Sequence, residues 1–396
     1  MHILICAVSS SRYPSGICRH AANLARCLAD RGEIDRITFL VGRWQLDYLG
    51  TAFDLLHPKL TIVPVDLANR ALTRNLWYWY GLAEKMNTYS PDVVHLSFPI
   101  PFSRTRCYRP VVVSLHDLYP YDMPDNFGYP RVLFNRLFLR QCLNGSDLIV
   151  CGSDFTRNRL RSLMPEVADS KTALIYQCVE LDTTCVTPVQ ELIDRPFLLA
   201  VAQHRRNKNL DLLLAAFHEL RIRGDLEKAT QLVIVGSDGP ETSRLRRLIR
   251  DLSLQEYVLF KNGLADQELC WLYKSCALFI APSSIEGFGL PVIEALRCGS
   301  RVLCADIPAF REVGGAACAY FDLQAKQPVM TLGDAICAAL LQPGTQSTTL
   351  ERFSTTVIGA QYAALYSALI MSDLCPAHSG NSKCDPEAVQ YDSLAS

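Results

Sequence analysis

The stretch "SSIEGFGLPVIEALRCG", Ser283 to Gly299, sets two carboxylates, Glu286 and Glu294, eight positions apart around a Gly-Phe-Gly turn. Pro291 suits the first residue of a helix, where its fixed φ helps and its missing N–H costs little. "EGFG" is then the loop into that helix, and Glu294 falls in the first turn. Gly287 and Gly289 let the backbone pass close to a ligand. Consecutive free N–H groups backed by a helix dipole make an anion site, and a diphosphate suits it. Carboxylates repel a diphosphate, so the glutamates need other targets; two acceptor oxygens suit a vicinal diol. Glu294 could take ribose hydroxyls, and Glu286 hydroxyls of a sugar. Together they describe a nucleotide-sugar site. A plainer reading competes, because a glutamate in a first helical turn is favoured by the dipole alone. With Leu290 at the N-cap there is no capping box, which weakens that reading for Glu294.

Such a loop needs a scaffold that brings strand ends together. The chain alternates short apolar runs with helical patterns. "HILICAV" (2–8), "RITFLVG" (36–42), "LTIVPV" (60–65), "DVVHLSF" (92–98), "PVVVSLHD" (110–117) and "DLIVCGS" (147–153) read as strands. Helices are expected over 15–32, where Ile17, Ala21, Leu24, Ala25 and Leu28 keep helical spacing, over 75–89 and near 131–143. A new cycle opens with "FLLAVAQ" (197–203), "QLVIVGS" (231–237), "VLFKNG" (258–263), "LFIAPS" (278–283) and "SRVLCAD" (300–306). The alternation predicts an α/β fold of two Rossmann-like domains with parallel sheets. The expected division is 1–180, a linker at 181–196, 197–371, and a disordered polar tail at 372–396. Ligands bind at the carboxyl ends of such strands.

Composition narrows the class. At 396 residues, 49% hydrophobic and 20% charged, the chain reads as soluble, globular and of two domains. A net charge of −1 argues against nucleic-acid binding. The halves differ, however: residues 1–180 carry 20 Lys/Arg against 16 Asp/Glu, and the rest 19 against 24. The basic half suits an anionic surface. None of the 16 cysteines forms a Cys-x-x-Cys pair. Cys6, Cys270 and Cys304 sit in apolar runs and read as small hydrophobes in a reducing compartment. The start has no basic leader and no run approaches a spanning length, so a cytoplasmic protein is expected.

"SSIEGFGLPVIEALRCGSRVLCADIPAFREVGG" closely resembles the signature of the family 4 retaining glycosyltransferases, two-domain enzymes of the GT-B fold whose hallmark is Glu-x7-Glu. "VAQHRRNKNLDLLLAAF", "LVIVGSDGPE", "FKNGLADQELCWLYKSC" and "SLHDLYP" match further motifs in order along most of the chain. The resemblance implies facing sheets across a cleft, with the acceptor held by the first domain and the nucleotide sugar by the second. It implies ribose binding by Glu294 and donor-sugar contact by Glu286. Backbone contacts would come from Gly287, Phe288, Gly289 and Leu290, and the base would lie near Gly263 and Leu264. Lys208 matches the lysine of a basic pair that grips the diphosphate. The usual arginine falls at Gln203, and Arg205 or Arg206 could supply its charge. His116, with Asp117, matches an element that reaches the donor sugar from across the cleft, although a strand-end histidine is ordinarily structural. Gly16 would let backbone face the phosphates, or is simply a turn glycine.

The implied reaction moves a sugar, with retention, from a nucleotide diphosphate donor such as GDP-mannose or a UDP-sugar to an acceptor hydroxyl. The setting would be bacterial polysaccharide or glycolipid assembly, with a saccharide or lipid-linked saccharide as acceptor. Catalytic roles fall to His116, Glu286 and Lys208. No metal and no other cofactor is required. The helix at 131–143, with Arg131, Arg136 and Arg140, could lie on the inner face of a membrane. An epimerase of similar fold, or a scaffold that binds nucleotide sugars without turnover, are the competing readings.

Overall fold

The structure, a computed structural model, describes residues 1–10, 15–53, 55–179, 181, 183–342 and 350–374. Strands β1 (His2–Cys6), β2 (Arg36–Gly42), β3 (Leu60–Val65), β4 (Val93–Leu96), β5 (Val111–Leu115), β6 (Leu148–Cys151) and β7 (Thr172–Leu174) form one sheet. Its order is β3-β2-β1-β4-β5-β6-β7 and every pair is parallel. Central β1 pairs on both sides, with Ile3 opposite Ile37 and Val93. It is buried on both faces, hence its unbroken apolar run. Ile3 and Ile5 face one core, and Leu4 and Cys6 the other.

A second sheet contains β8 (Phe197–Val201), β9 (Gln231–Val235), β10 (Val258–Lys261), β11 (Leu278–Ala281), β12 (Val302–Ala305) and β13 (Ala319–Phe321). The order is β10-β9-β8-β11-β12-β13, again wholly parallel. Between β7 and β8 the regular structure among the described residues is one 3-10 turn, Gln190–Leu192. Strand order reverses at β8/β11, so the loops leaving these two strands diverge and open a crevice. The Glu-x7-Glu loop leaves β11, and the segment carrying Lys208 leaves β8.

The ends of the chain are tied together. Helix Gly16–Ala29 starts at Ser15, whose hydroxyl accepts from the Cys18 N–H, and buries Ala21, Leu24, Ala25 and Leu28. Ile17, counted with that face in the sequence, is 38% exposed because it lies at the cleft end of the helix. The final helix, Thr355–Leu374, belongs to neither expected unit cleanly. It returns to the first domain, where Ile358, Tyr362 and Tyr366 join the core beneath helix Gly16–Ala29. A buried chain of hydrogen bonds fastens it: Tyr366 OH to His95 Nδ1 at 2.7 Å, His95 Nε2 to Ser114 Oγ at 2.9 Å, and Ser114 Oγ to His20 Nε2 at 3.0 Å. Burial pushes His95 down to about 3, so this chain is neutral. Residues Ser372–Leu374 end this helix instead of beginning a tail; 375–396 lie outside the described residues.

The described cysteines are mostly buried, and burial pushes Cys142 up to about 12. The helix expected near 131–143 spans Arg131–Gly145. That expected over 75–89 begins at Ala71 and is interrupted by a π turn, Trp77–Gly81.

Candidate active site

The loop after β11 carries Glu286, Gly287 and Phe288 into helix Leu290–Arg297. Gly289 is the N-cap, at φ 110°, a conformation open to glycine and costly for other residues. Pro291 is therefore the second helical residue, and Glu294 lies one position beyond the first turn. This corrects the sequence-based placement and removes the simple dipole explanation for that glutamate. Phe288 is 4% exposed, packed 6.0 Å from Tyr176 and 5.7 Å from Phe353. Its side chain anchors the loop, which leaves its backbone for the cleft.

Loop and first domain are in direct contact. The Gly287 carbonyl accepts from Ser153 Oγ at 2.5 Å and Thr156 Oγ1 at 3.2 Å. A methyl group at Gly287 would collide with the His116 carbonyl oxygen. Glu312 reaches back across the boundary. Its carboxylate accepts from the N–H groups of Asp154 (2.6 Å) and Phe155 (3.1 Å), the open donors at the start of helix Asp154–Leu163.

Glu286 accepts from Lys208 Nζ at 2.5 Å and from Tyr119 OH at 3.3 Å. Two hydrogen bonds of its chain neighbours hold Lys208 there: Ser284 N–H donates to the Asn207 carbonyl at 2.9 Å, and the Asn209 side-chain Nδ2 donates to the Pro282 carbonyl at 2.9 Å. The β8 and β11 loops are thus stitched together at the switch point. Arg205 Nε donates to Gln203 Oε1 at 2.7 Å, and its charge bears on Asp117; Arg206 is exposed. Gln203, where the family's arginine was expected, steers Arg205 toward the cleft.

Glu294 is 4% exposed. Tyr273 OH donates to its Oε2 at 2.8 Å, and Arg19 Nε stands 3.7 Å from its Oε1. Gly16 lies opposite, its Cβ position 3.9 Å from Leu290 Cδ1. Gly263 sits at φ 65° in open space, while Leu264 packs against the second core.

His116 reaches the site by its backbone. Its Nε2 donates to the Ser97 carbonyl at 2.7 Å, and Nδ1 accepts from Gln177 Nε2 at 3.1 Å, an assignment fixed by those partners. Both ring nitrogens are engaged within the first domain, and burial holds the ring neutral by lowering its pKa. The shallow recess beside it is lined by Asp117, Tyr119, Phe155, Thr156, Glu286 and Gly287 among others.

Known proteins bear on this geometry. The family model "Glycosyltransferase Family 4" matches residues 14–183, and "Glycosyl transferases group 1" matches residues 188–318. Between them they take in β2 to β7 of the first sheet and β8 to β12 of the second. The chain belongs to the family 4 glycosyltransferases. It is 25% identical over 329 residues to O-antigen chain mannosyltransferase B of Escherichia coli, covering 79% of this chain and 85% of that one. It is 24% identical over 310 residues to O-antigen chain mannosyltransferase RfbU of Salmonella typhimurium, covering 76% and 80%. The fold is similar to sucrose-phosphate synthase from Thermosynechococcus elongatus, with a TM-score of 0.73 at 19% identity, covering 94% of this chain and 100% of that one. This is the GT-B arrangement, and the glycosyltransferase reading stands over the epimerase and the silent scaffold.

Several residues of this glycosyltransferase site escaped the sequence reading. Ser153 closed an expected strand, and Thr156 carried no signal. Arg19 sat in a helical pattern, and Tyr119 and Tyr273 in motifs quoted for the resemblance, none of which hinted at a partner more than 20 positions away. Asp117, noticed beside His116, has its carboxyl pushed up to about 6 by burial, with Glu286 adding to the rise. The Tyr119 N–H, Lys208 and Arg205 work the other way. A folded value above the ordinary one means the protonated form favours the fold at low pH, and that contribution fades as pH rises through about 6. Asp117→Asn mimics the protonated form and should lack this dependence. Denaturant midpoints of both proteins between about pH 4.5 and pH 7 should show the mutant gaining on the wild type; a constant gap would place the Asp117 carboxyl in water.

Proposed function

We propose that this glycosyltransferase moves a hexose, with retention, from a nucleoside diphosphate sugar to a hydroxyl of a saccharide or lipid-linked saccharide. GDP-mannose leads the candidate donors, ahead of UDP-sugars. The mannosyltransferase names of the two O-antigen relatives support the choice of sugar, and they support a setting in bacterial surface polysaccharide or glycolipid assembly.

The observation that carries the donor reading is Glu294. A buried carboxylate is costly unless held, and two groups hold this one. Four acceptor positions minus the Tyr273 bond leave capacity for the two ribose hydroxyls. Beside it, the amides of the loop and the start of helix Leu290–Arg297 are suited to the diphosphate. Lys208 is now neutralised by Glu286. An arriving diphosphate competes for that lysine, and Glu286 then turns to the hydroxyls of the transferred sugar. Lys208, Arg205 and the loop amides stabilise the leaving phosphate, which accepts the acceptor's proton. No divalent ion is needed when cations and amides carry the phosphate charge. His116 would touch the transferred sugar by giving up Ser97 or Gln177; otherwise its part is to hold the carbonyl that meets Gly287.

Glu294→Ala should weaken GDP and the nucleotide sugar alike by ~10–100-fold, the loss of hydrogen bonds to a charged group. Calorimetric titration in EDTA should give the wild-type affinity unchanged. Equal binding by the mutant would remove Glu294 from the site, and binding abolished by EDTA and restored by magnesium would make the site metal-dependent.

For the acceptor side we propose a peripheral contact with the inner face of a membrane through helix Arg131–Gly145. Among the described residues no helix is long and apolar enough to cross a membrane. This helix instead leaves Leu133 (44%), Phe134 (52%), Leu137 (61%) and Phe138 (37%) exposed on one side, with Arg131 and Arg140 beside them. An apolar stripe with arginines fits an anionic bilayer surface. Wild-type protein should sediment with phosphatidylglycerol-containing vesicles and Phe134→Glu/Leu137→Glu should stay in solution; identical sedimentation would make the stripe an ordinary exposed face.

A further inference from the structure

Arg19 is in an awkward place for helix stability. It is the fourth residue of helix Gly16–Ala29, where the dipole disfavours a cation. Its side chain is 15% exposed and lies 5.5 Å from the Phe53 ring, so it also gives up hydration. Residues that break a local rule in this way usually serve a purpose elsewhere.

The compensation comes from the other domain. Arg19 Nη1 and Nη2 donate to both oxygens of Asp266 at 3.1 and 2.7 Å, a two-pronged fit of guanidinium to carboxylate. Its Nε faces Glu294 Oε1 at 3.7 Å. Asp266 opens helix Asp266–Ser275, which also carries Tyr273, the hydroxyl donor to Glu294. Burial opposes the Arg19 charge, but Glu294 and Asp266 outweigh it and its pKa is raised. One cation of the first domain therefore serves two acids of the second, one of them the carboxylate read above as the ribose site.

We propose that Arg19 is a positioning residue that gates the cleft: its clasp on Asp266 and Glu294 holds the domains shut, and the nucleotide enters and leaves when it lets go. The inference rests on the donor reading for Glu294. It differs from that reading in what it predicts: the clasp controls rates of exchange, whereas Glu294 controls affinity. Once the nucleotide is in place the closing arginine offsets two carboxylates that would otherwise face a diphosphate.

The test is binding kinetics of unlabelled GDP and UDP on immobilised full-length protein, with small-angle scattering of the ligand-free protein. Arg19→Ala and Asp266→Asn should each raise association and dissociation rates about tenfold, within the usual range of coupling between two sites. Affinity should move far less than either rate. The double variant should be no faster than the singles, because both break one contact, and Arg19→Lys should fall between. The ligand-free radius of gyration should grow in Arg19→Ala and Asp266→Asn. Unchanged rates with an unchanged radius, or additive effects in the double variant, would overturn the gate. Should neither nucleotide bind the wild type, the donor reading fails, and the radius of gyration still decides whether Arg19 holds the domains together.

Discussion

The site hangs on how closely one loop can approach the opposite domain. At Gly287 there is no room for a side chain: the His116 carbonyl occupies that space, and the Ser153 and Thr156 hydroxyls close on the Gly287 carbonyl. Every backbone group of a buried junction needs a partner, and here the partners come from the other domain. Around this point gather the remaining bridges, Glu312 on the start of helix Asp154–Leu163, Tyr119 on Glu286, and Arg19 on Asp266. A two-domain fold with parallel sheets supplies many strand ends; this contact selects which of them face one another.

Charge in the cleft is balanced by pairs that cross between elements. Glu286 has Lys208, Asp266 and Glu294 share Arg19, and Asp117 is left with a raised pKa. A diphosphate entering such a place would exchange one set of ionic partners for another, with little net charge to bury. That exchange is why the free site is paired, and it gives lysine and arginine separate tasks: Lys208 as a mobile point charge, Arg19 as a rigid fork.

Much of this was legible in the residues. β2 and β3 begin and end where their apolar runs do; β2 is a buried inner strand that needs continuous apolar sequence, and β3, the half-buried edge strand, pairs along its length. Glu286 and Glu294 announced themselves by spacing around glycines. β7 and β13 went unseen, being strands of three residues in which no period can develop. Placing Glu294 in the first turn was an error of one residue, caused by taking Pro291 as the first helical position when Gly289 caps and Leu290 leads. The return of the last helix to the first domain could not be read either. Tyr362 and Tyr366 show apolar spacing, but spacing does not say which sheet they will meet. Arg19, Ser153 and Tyr273 were hidden for the same reason, since their partners are fixed by tertiary contact.

Hydrogen exchange read by mass spectrometry, with and without whichever of GDP or UDP binds more tightly, reaches the central point most directly. A nucleotide held in a cleft between two domains protects amides on both sides: residues 286–294 in the second domain, and residues 16–19 and 116–119 in the first. Protection confined to the second domain, with the first unchanged, would contradict a shared site.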